Sequence, residues 1–202
     1  MTERDARAAI VRCCARLWER RLVSGTSGNV SLRLDDGDIL VTPAGRSLAH
    51  LAAADLVRVD LAESATRPAS RPTSELPLHL AVYRFRADAA CVVHTHPTFC
   101  VVWSLQGRVF PQETVGARET LGRVAWTPYR PNGSEALAEL CGSEFARGID
   151  AVLMERHGLT VLGTTLEDAF DVTDQAEEAA RVGFFASLAL RGRTTTPPKG
   201  AL

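Results

Sequence analysis

The sequence predicts an α/β fold in which helices flank a mainly antiparallel sheet. Apolar positions recur at helical spacing in some segments and form short β-like runs in others. Their order is helix, hairpins, helix and hairpin, with turn signals between adjacent short runs. Regular βαβ repeats are missing, which argues against a doubly wound parallel sheet. The chain has 202 residues, enough for one sizeable domain over 1–202.

The first helix is expected from Thr2 to about Leu22. Ala8, Ala9, Val11, Cys14, Leu17 and Trp18 mark its apolar side, and Thr2 is an available N-cap. Ser24 to Asn29 is a loop of small polar residues. Val30–Leu34 and Ile39–Thr42 read as strands, joined by the turn Asp35-Asp36-Gly37-Asp38. After the loop Thr42 to Arg46, Leu56–Leu61 alternates apolar and polar residues as a strand does. Arg67–Thr73 is a polar loop with two prolines. A short helix is expected from near Ser74 to Arg86, and a strand over Ala89–Thr95.

A further helix is expected over Thr98–Leu105, while Gln106–Val124 shows no clear period. Val124–Thr127 reads as a strand. Asn132-Gly133-Ser134 caps a helix running to about Arg147. Ala151–Glu155 and Leu159–Leu162 form a hairpin with His157 at its bend. Thr165 and Asp168 resemble a capping box opening a helix to about Leu190, and 191–202 is a loose, proline-containing tail.

With 23 basic and 24 acidic residues the net charge is -1, which argues against an electrostatic grip on nucleic acid. No apolar run approaches the length of a bilayer span, and the charged N-terminus lacks a signal-peptide core. A cytoplasmic protein without nucleic-acid or membrane partners is therefore expected. The five cysteines, Cys13, Cys14, Cys91, Cys100 and Cys141, have no CxxC spacing and are read as small apolar core residues.

Histidine placement carries more information. On a strand, His94 and His96 point to the same face, as a pair of metal ligands would. His157, at a later bend, is the candidate third ligand. Three neutral imidazoles with an open position suit a catalytic divalent metal, most often zinc. Glu75 begins a helix, where a carboxylate is either a dipole partner, a fourth ligand or a general base. Thr73 and Ser74 offer donors to an anion at the same place. Gly25-Thr26-Ser27-Gly28-Asn29 and Thr42-Pro43-Ala44-Gly45 are either turns or anion-binding loops. His79 stands about one helical turn after Glu75 and suits either support of the site or core packing. His50 reads as a surface residue.

Five motifs in this order resemble the class II aldolase/adducin family. They are Gly25-Thr26-Ser27-Gly28-Asn29-Val30-Ser31, Thr42-Pro43-Ala44-Gly45, Thr73-Ser74-Glu75 with Leu78-His79, Val92-Val93-His94-Thr95-His96, and Arg156-His157-Gly158-Leu159 with Gly163. The resemblance spans roughly Arg12 to Leu190. It implies a three-layer α/β/α fold and a homotetramer with sites at subunit interfaces. It implies zinc on His94, His96 and His157, with Glu75 as a further ligand and acid/base; Mn2+ or Co2+ are alternative ions. By motif match, Gly28, Asn29, Gly45, Thr73 and Ser74 would hold a substrate phosphate.

The implied reaction is cleavage of a ketose 1-phosphate, such as L-fuculose 1-phosphate, to dihydroxyacetone phosphate and an aldehyde. Ala44 stands where the family commonly carries a hydroxyl. Tyr129 matches a family position near the site, whereas Tyr83 falls on a helix and reads as core; no tyrosine follows Tyr129. These departures keep a decarboxylase, a sugar-phosphate dehydratase and a 4-epimerase open as alternatives. A non-catalytic adducin-like module predicts lost ligands, and here all are present.

Overall fold

The computed structural model describes residues 1–61, 65–66, 71–107 and 109–191. The expected tail lies outside the described residues beyond Arg191, as does part of the expected loop at 67–70.

Helix α1 (Glu3–Glu19) starts where Thr2 accepts the Asp5 N–H, as its N-cap residue type predicts. Strands β1 (Asn29–Arg33) and β2 (Ile39–Val41) form the expected hairpin. Strands β3 (Val57–Asp60) and β4 (Ala65–Thr66) continue it to the sheet edge. Helix α2 (Leu76–Phe85) begins two residues later than expected, with Glu75 as its N-cap residue and Pro77 in its first turn.

Strand β5 (Cys91–Thr95) leads through Pro97 into α3 (Thr98–Ser104). No side chain at Pro97 caps α3; instead the Glu177 carboxylate accepts the Phe99 and Cys100 N–H groups at 3.0 and 2.9 Å. The unperiodic stretch contains α4 (Val115–Thr120), capped by Thr114. Then follow β6 (Val124–Thr127), α5 (Glu135–Ala146) capped by Ser134, β7 (Ala151–Met154), β8 (Gly158–Gly163) and α6 (Leu166–Arg191). At the start of α6, Thr165 accepts the Asp168 N–H, while the Asp168 carboxylate binds the Thr164 hydroxyl.

The described strands form one sheet in the order β4-β3-β2-β1-β5-β8-β7-β6. All pairs are antiparallel except β6 and β7, which run parallel across the α5 crossover. The sheet is therefore mixed, with one βαβ unit at its end.

Side-chain alternation splits the interior into two cores. Val30, Leu32, Leu40, Cys91, Val93, Leu159 and Val161 face α1, α3, α4 and α6. Ile39, Val41, Val59, Val92, Val152, Met154 and Leu162 face α2 and α5. This is the expected α/β/α layering. Each fully buried Leu or Ile, such as Ile10 or Leu159, contributes roughly 1.5–3 kcal/mol. All five cysteines are buried and free, as read from their spacing. No helix among the described residues is long and apolar enough to cross a membrane.

Candidate metal centre and anion pocket

The face covered by α2 and α5 changes character at one end of the sheet. Asn29 on β1, His94 on β5 and Thr160 on β8 are direct cross-strand neighbours. They form a polar row where the same strands elsewhere carry Val92 and Leu162. His94 is fully buried, and its Nδ1 lies 3.0 Å from the Thr160 hydroxyl. A backbone hydrogen bond to Leu159 also supports its ring.

His96 lies just past β5, with its N–H bonded to the Leu22 carbonyl. His157 sits in the tight β7–β8 bend, beside Arg156 at φ 59. The Arg156 N–H donates to the Ser104 hydroxyl at 3.1 Å, which ties this bend to α3. The three rings converge, with centroids 4.8, 4.8 and 5.0 Å apart. One ligating atom from each lies within 4.8 Å of the others.

The donor set fits a divalent cation. Burial lowers the pKa of all three imidazoles, and their mutual proximity adds to this at His94 and His157. His157 is pushed down to about 4. Neutral rings keep a lone pair for a metal. His94 Nε2 and His96 Nε2 face each other at 2.9 Å. A cation between these groups would satisfy both, and imidazole ligands suit zinc and related transition ions.

Glu75 completes the wall. It is only 4% exposed, and Oε1 stands 3.8 Å from His157 Nε2. Burial raises its pKa, offset in part by a hydrogen bond from the Gly133 N–H. Its Oε2 is buried without a partner among the described residues. An unpaired buried carboxylate oxygen is costly, so a cation or a proton there has a physical reason.

Three loops close the pocket. The Thr42 carbonyl accepts the Thr73 N–H at 3.0 Å, and the Arg71 carbonyl accepts the Ala44 N–H at 3.0 Å. Gly28 takes φ 81, and a Cβ there would meet Val23 Cγ1 at 2.4 Å. The resulting cavity, about 150 Å³, is lined by Gly28, Asn29, Gly45, Thr73, Ser74 and Glu75 together with all three histidines. Thr26, Ser27 and Asn132 also line it. Asn132 entered the sequence reading only as part of a helix start; its Asn-Gly turn carried no signal of pocket contact.

Tyr129 stands apart. It is 49% exposed, does not line the cavity, and is held through its backbone N–H by the Glu155 carboxylate at 3.1 Å. A larger cavity of about 550 Å³ lies beyond Pro43 and Ala44. Of its arginines, Arg58 is occupied by Glu3, Asp36 and Asp38, Arg46 by Asp55, and Arg7 by Glu3.

Residues 8–184 match the model of the class II aldolase and adducin N-terminal domain. The chain belongs to this family. An L-fuculose phosphate aldolase of Methanococcus vannielii is 34% identical over 172 residues, 85% of this chain and 92% of that protein. A 3-oxo-tetronate 4-phosphate decarboxylase of Haemophilus influenzae is 31% identical over 189 residues, 91% and 89% of the two chains. Among solved structures, YgbL of Klebsiella pneumoniae superposes with a TM-score of 0.84 at 31% identity, covering 97% of this chain and 94% of that one. These relatives place the chain in a superfamily of metal-dependent lyases that includes both aldolases and decarboxylases. The histidine triad is where family membership and the geometry described above meet.

Proposed function

We propose that the protein is a zinc-dependent aldolase that cleaves a ketose 1-phosphate, such as L-fuculose 1-phosphate, to dihydroxyacetone phosphate and an aldehyde. One observation carries the reading: three imidazoles, a buried carboxylate and three small-residue loops share a single cavity. His94, His96 and His157 hold the metal, with Glu75 beside them. The metal supplies Lewis acidity that lowers the cost of negative charge developing as the carbon–carbon bond breaks.

The chain's own residues do the rest. Backbone and hydroxyl donors of Gly28, Asn29, Gly45, Thr73 and Ser74 bind the phosphate. That grip is remote from the breaking bond and orients it. Cleavage turns the hydroxyl beside the breaking bond into the aldehyde carbonyl, its proton passing to solvent at the open aldehyde end, and leaves the bond's electron pair on the carbon of the dihydroxyacetone phosphate half. Glu75, made easier to protonate by burial, delivers the proton that this carbon takes up. Tyr129 is assigned to the aldehyde end. Its exposure outside the cavity suits a pocket finished by a neighbouring subunit, and the homotetramer is part of the proposal.

The test is coupled detection of dihydroxyacetone phosphate from a panel of ketose 1-phosphates, with and without chelator. Turnover that survives removal of the metal would overturn the mechanism. The decarboxylase relatives favour one second reading, in which the same metal and pocket act on a phosphorylated 3-oxo acid. Release of CO2 without an aldehyde would select it.

A further inference from the structure

We propose that His79 is a positioning residue for the substrate's anionic group, acting through Asn29. The inference rests on the anion-pocket reading above. His79 is fully buried on α2, and both ring nitrogens are engaged. Its Nε2 lies 2.6 Å from Asn29 Oδ1, and its Nδ1 lies 2.7 Å from the Ser31 hydroxyl. The Ser31 hydroxyl in turn lies 2.8 Å from the Tyr83 hydroxyl.

Donor logic gives this chain one direction. Asn29 Oδ1 can only accept, so His79 Nε2 carries the hydrogen. Burial holds the ring neutral, with its pKa pushed down to about 3, so Nδ1 has a lone pair and no hydrogen. The Ser31 hydroxyl donates to Nδ1, and the Tyr83 hydroxyl donates to Ser31. Each member is satisfied, so the network has no reason to reorganise. Its outcome is at Asn29: with Oδ1 held from behind, the NH2 group is the part of the carboxamide left for the cavity that Asn29 lines.

An anion needs a donor there. With the carboxamide reversed, an oxygen would face the phosphate and repel it. His79 thereby sets the sign of the pocket's Asn29 contact without touching the ligand. Asn29 also sits directly across from His94 in the sheet, so this polarity is set beside the metal centre.

The test uses the full-length, zinc-loaded protein and inorganic phosphate as probe, with affinity read by 31P NMR titration. A hydrogen bond to a charged group is worth enough that Asn29→Ala and His79→Leu should each weaken phosphate by about tenfold. The double variant should bind no more weakly than Asn29→Ala alone, because His79 acts only through Asn29. His79→Gln, whose terminal amide can donate to Asn29 Oδ1, should recover most of the affinity lost in His79→Leu, which separates lost orientation from a damaged fold. Multiplicative losses in the double variant, or wild-type affinity in His79→Leu, would overturn the positioning role. Wild-type protein that binds no phosphate would overturn the anion-pocket reading and this inference with it.

Discussion

Gly158 lets the histidine triad close, and Gly158→Ala is a direct perturbation of it. Gly158 opens β8 immediately after His157 and pairs with Met154. A Cβ there would stand 2.2 Å from the Thr95 carbonyl oxygen and 2.8 Å from His96 Cδ2. The first contact falls about 1.2 Å inside the 3.4 Å at which ordinary contact begins, and it is with backbone. The β7–β8 bend must therefore move away from β5, carrying His157 away from His94 and His96. Overpacking of this kind costs about 1–3 kcal/mol. Displacing one imidazole should lower zinc affinity by about 10–100-fold, the range seen when support of a ligand is lost.

Urea unfolding of metal-free protein reads the first effect, and chelator competition for zinc reads the second. Val161→Ala is the matched control. Val161 lies on the same strand, fully buried, but faces α1 and α6. It should lose a comparable about 1–3 kcal/mol by leaving a cavity, with zinc affinity intact. If Gly158→Ala binds zinc as wild type does, or Val161→Ala loses zinc equally, the close-approach argument is wrong.

Other outcomes follow from the same geometry. Glu75→Gln keeps the shape and removes the proposed acid/base; turnover should fall by about 10²–10⁴-fold in product-release assays while the assembly state in sedimentation is unchanged. Removing metal should abolish turnover, and adding back Zn2+ should restore it; activity in stripped protein, verified by metal analysis, would contradict this. His79 and His157 have folded pKa values lowered to about 3 and about 4, against an ordinary value of about 6.5. Below about pH 6.5 the unfolded chain takes up protons that the folded one refuses, so metal-free stability is full above that pH. It should fall toward pH 4 by up to about 1.4 kcal/mol per pH unit for each such histidine. His79→Leu should flatten that slope by one histidine's share in denaturation curves at pH 6 and 5. Arg58 on β3 binds Glu3, Asp36 and Asp38 and so ties α1 and the β1–β2 turn to β3. Arg58→Ala should cost about 1 kcal/mol, less at high salt, because the cluster is partly exposed.

Local signals made much of this legible. Thr2, Ser134 and Thr165 mark helix starts because their hydroxyls accept N–H groups within three residues, a purely local event. The β1–β2 hairpin follows from its four-residue turn. The segment 106–124 was opaque because α4 has only six residues, including Gly116, and is too short to show a period. The parallel β6–β7 pair was missed for a different reason. Its register depends on where α5 lays the chain back down, and nothing local to either strand records it. Glu177, which caps α3 from 77 and 78 residues away, was equally hidden.

The candidate site divides along the same line. His94 and His96 were readable because a two-residue period puts both on one side of an extended segment, although β5 itself ends at Thr95. Asn29 and Thr160 became neighbours of His94 only through register: β1 and β8 flank β5 so that Asn29, His94 and Thr160 align in one row. A one-residue slip of β1 would turn Asn29 and Ser31 to the opposite face and present Val30 to the pocket. That slip is opposed by burial, since Val30 and Leu32 would leave the α1–α6 core and Ser31 would enter it. His79 opposes it further, because its two ring nitrogens need both Asn29 and Ser31 on the α2 side. The register that buries β1 is thus the register that arms the pocket. The alternation of apolar and polar residues in Asn29-Val30-Ser31-Leu32 serves packing on one face and chemistry on the other.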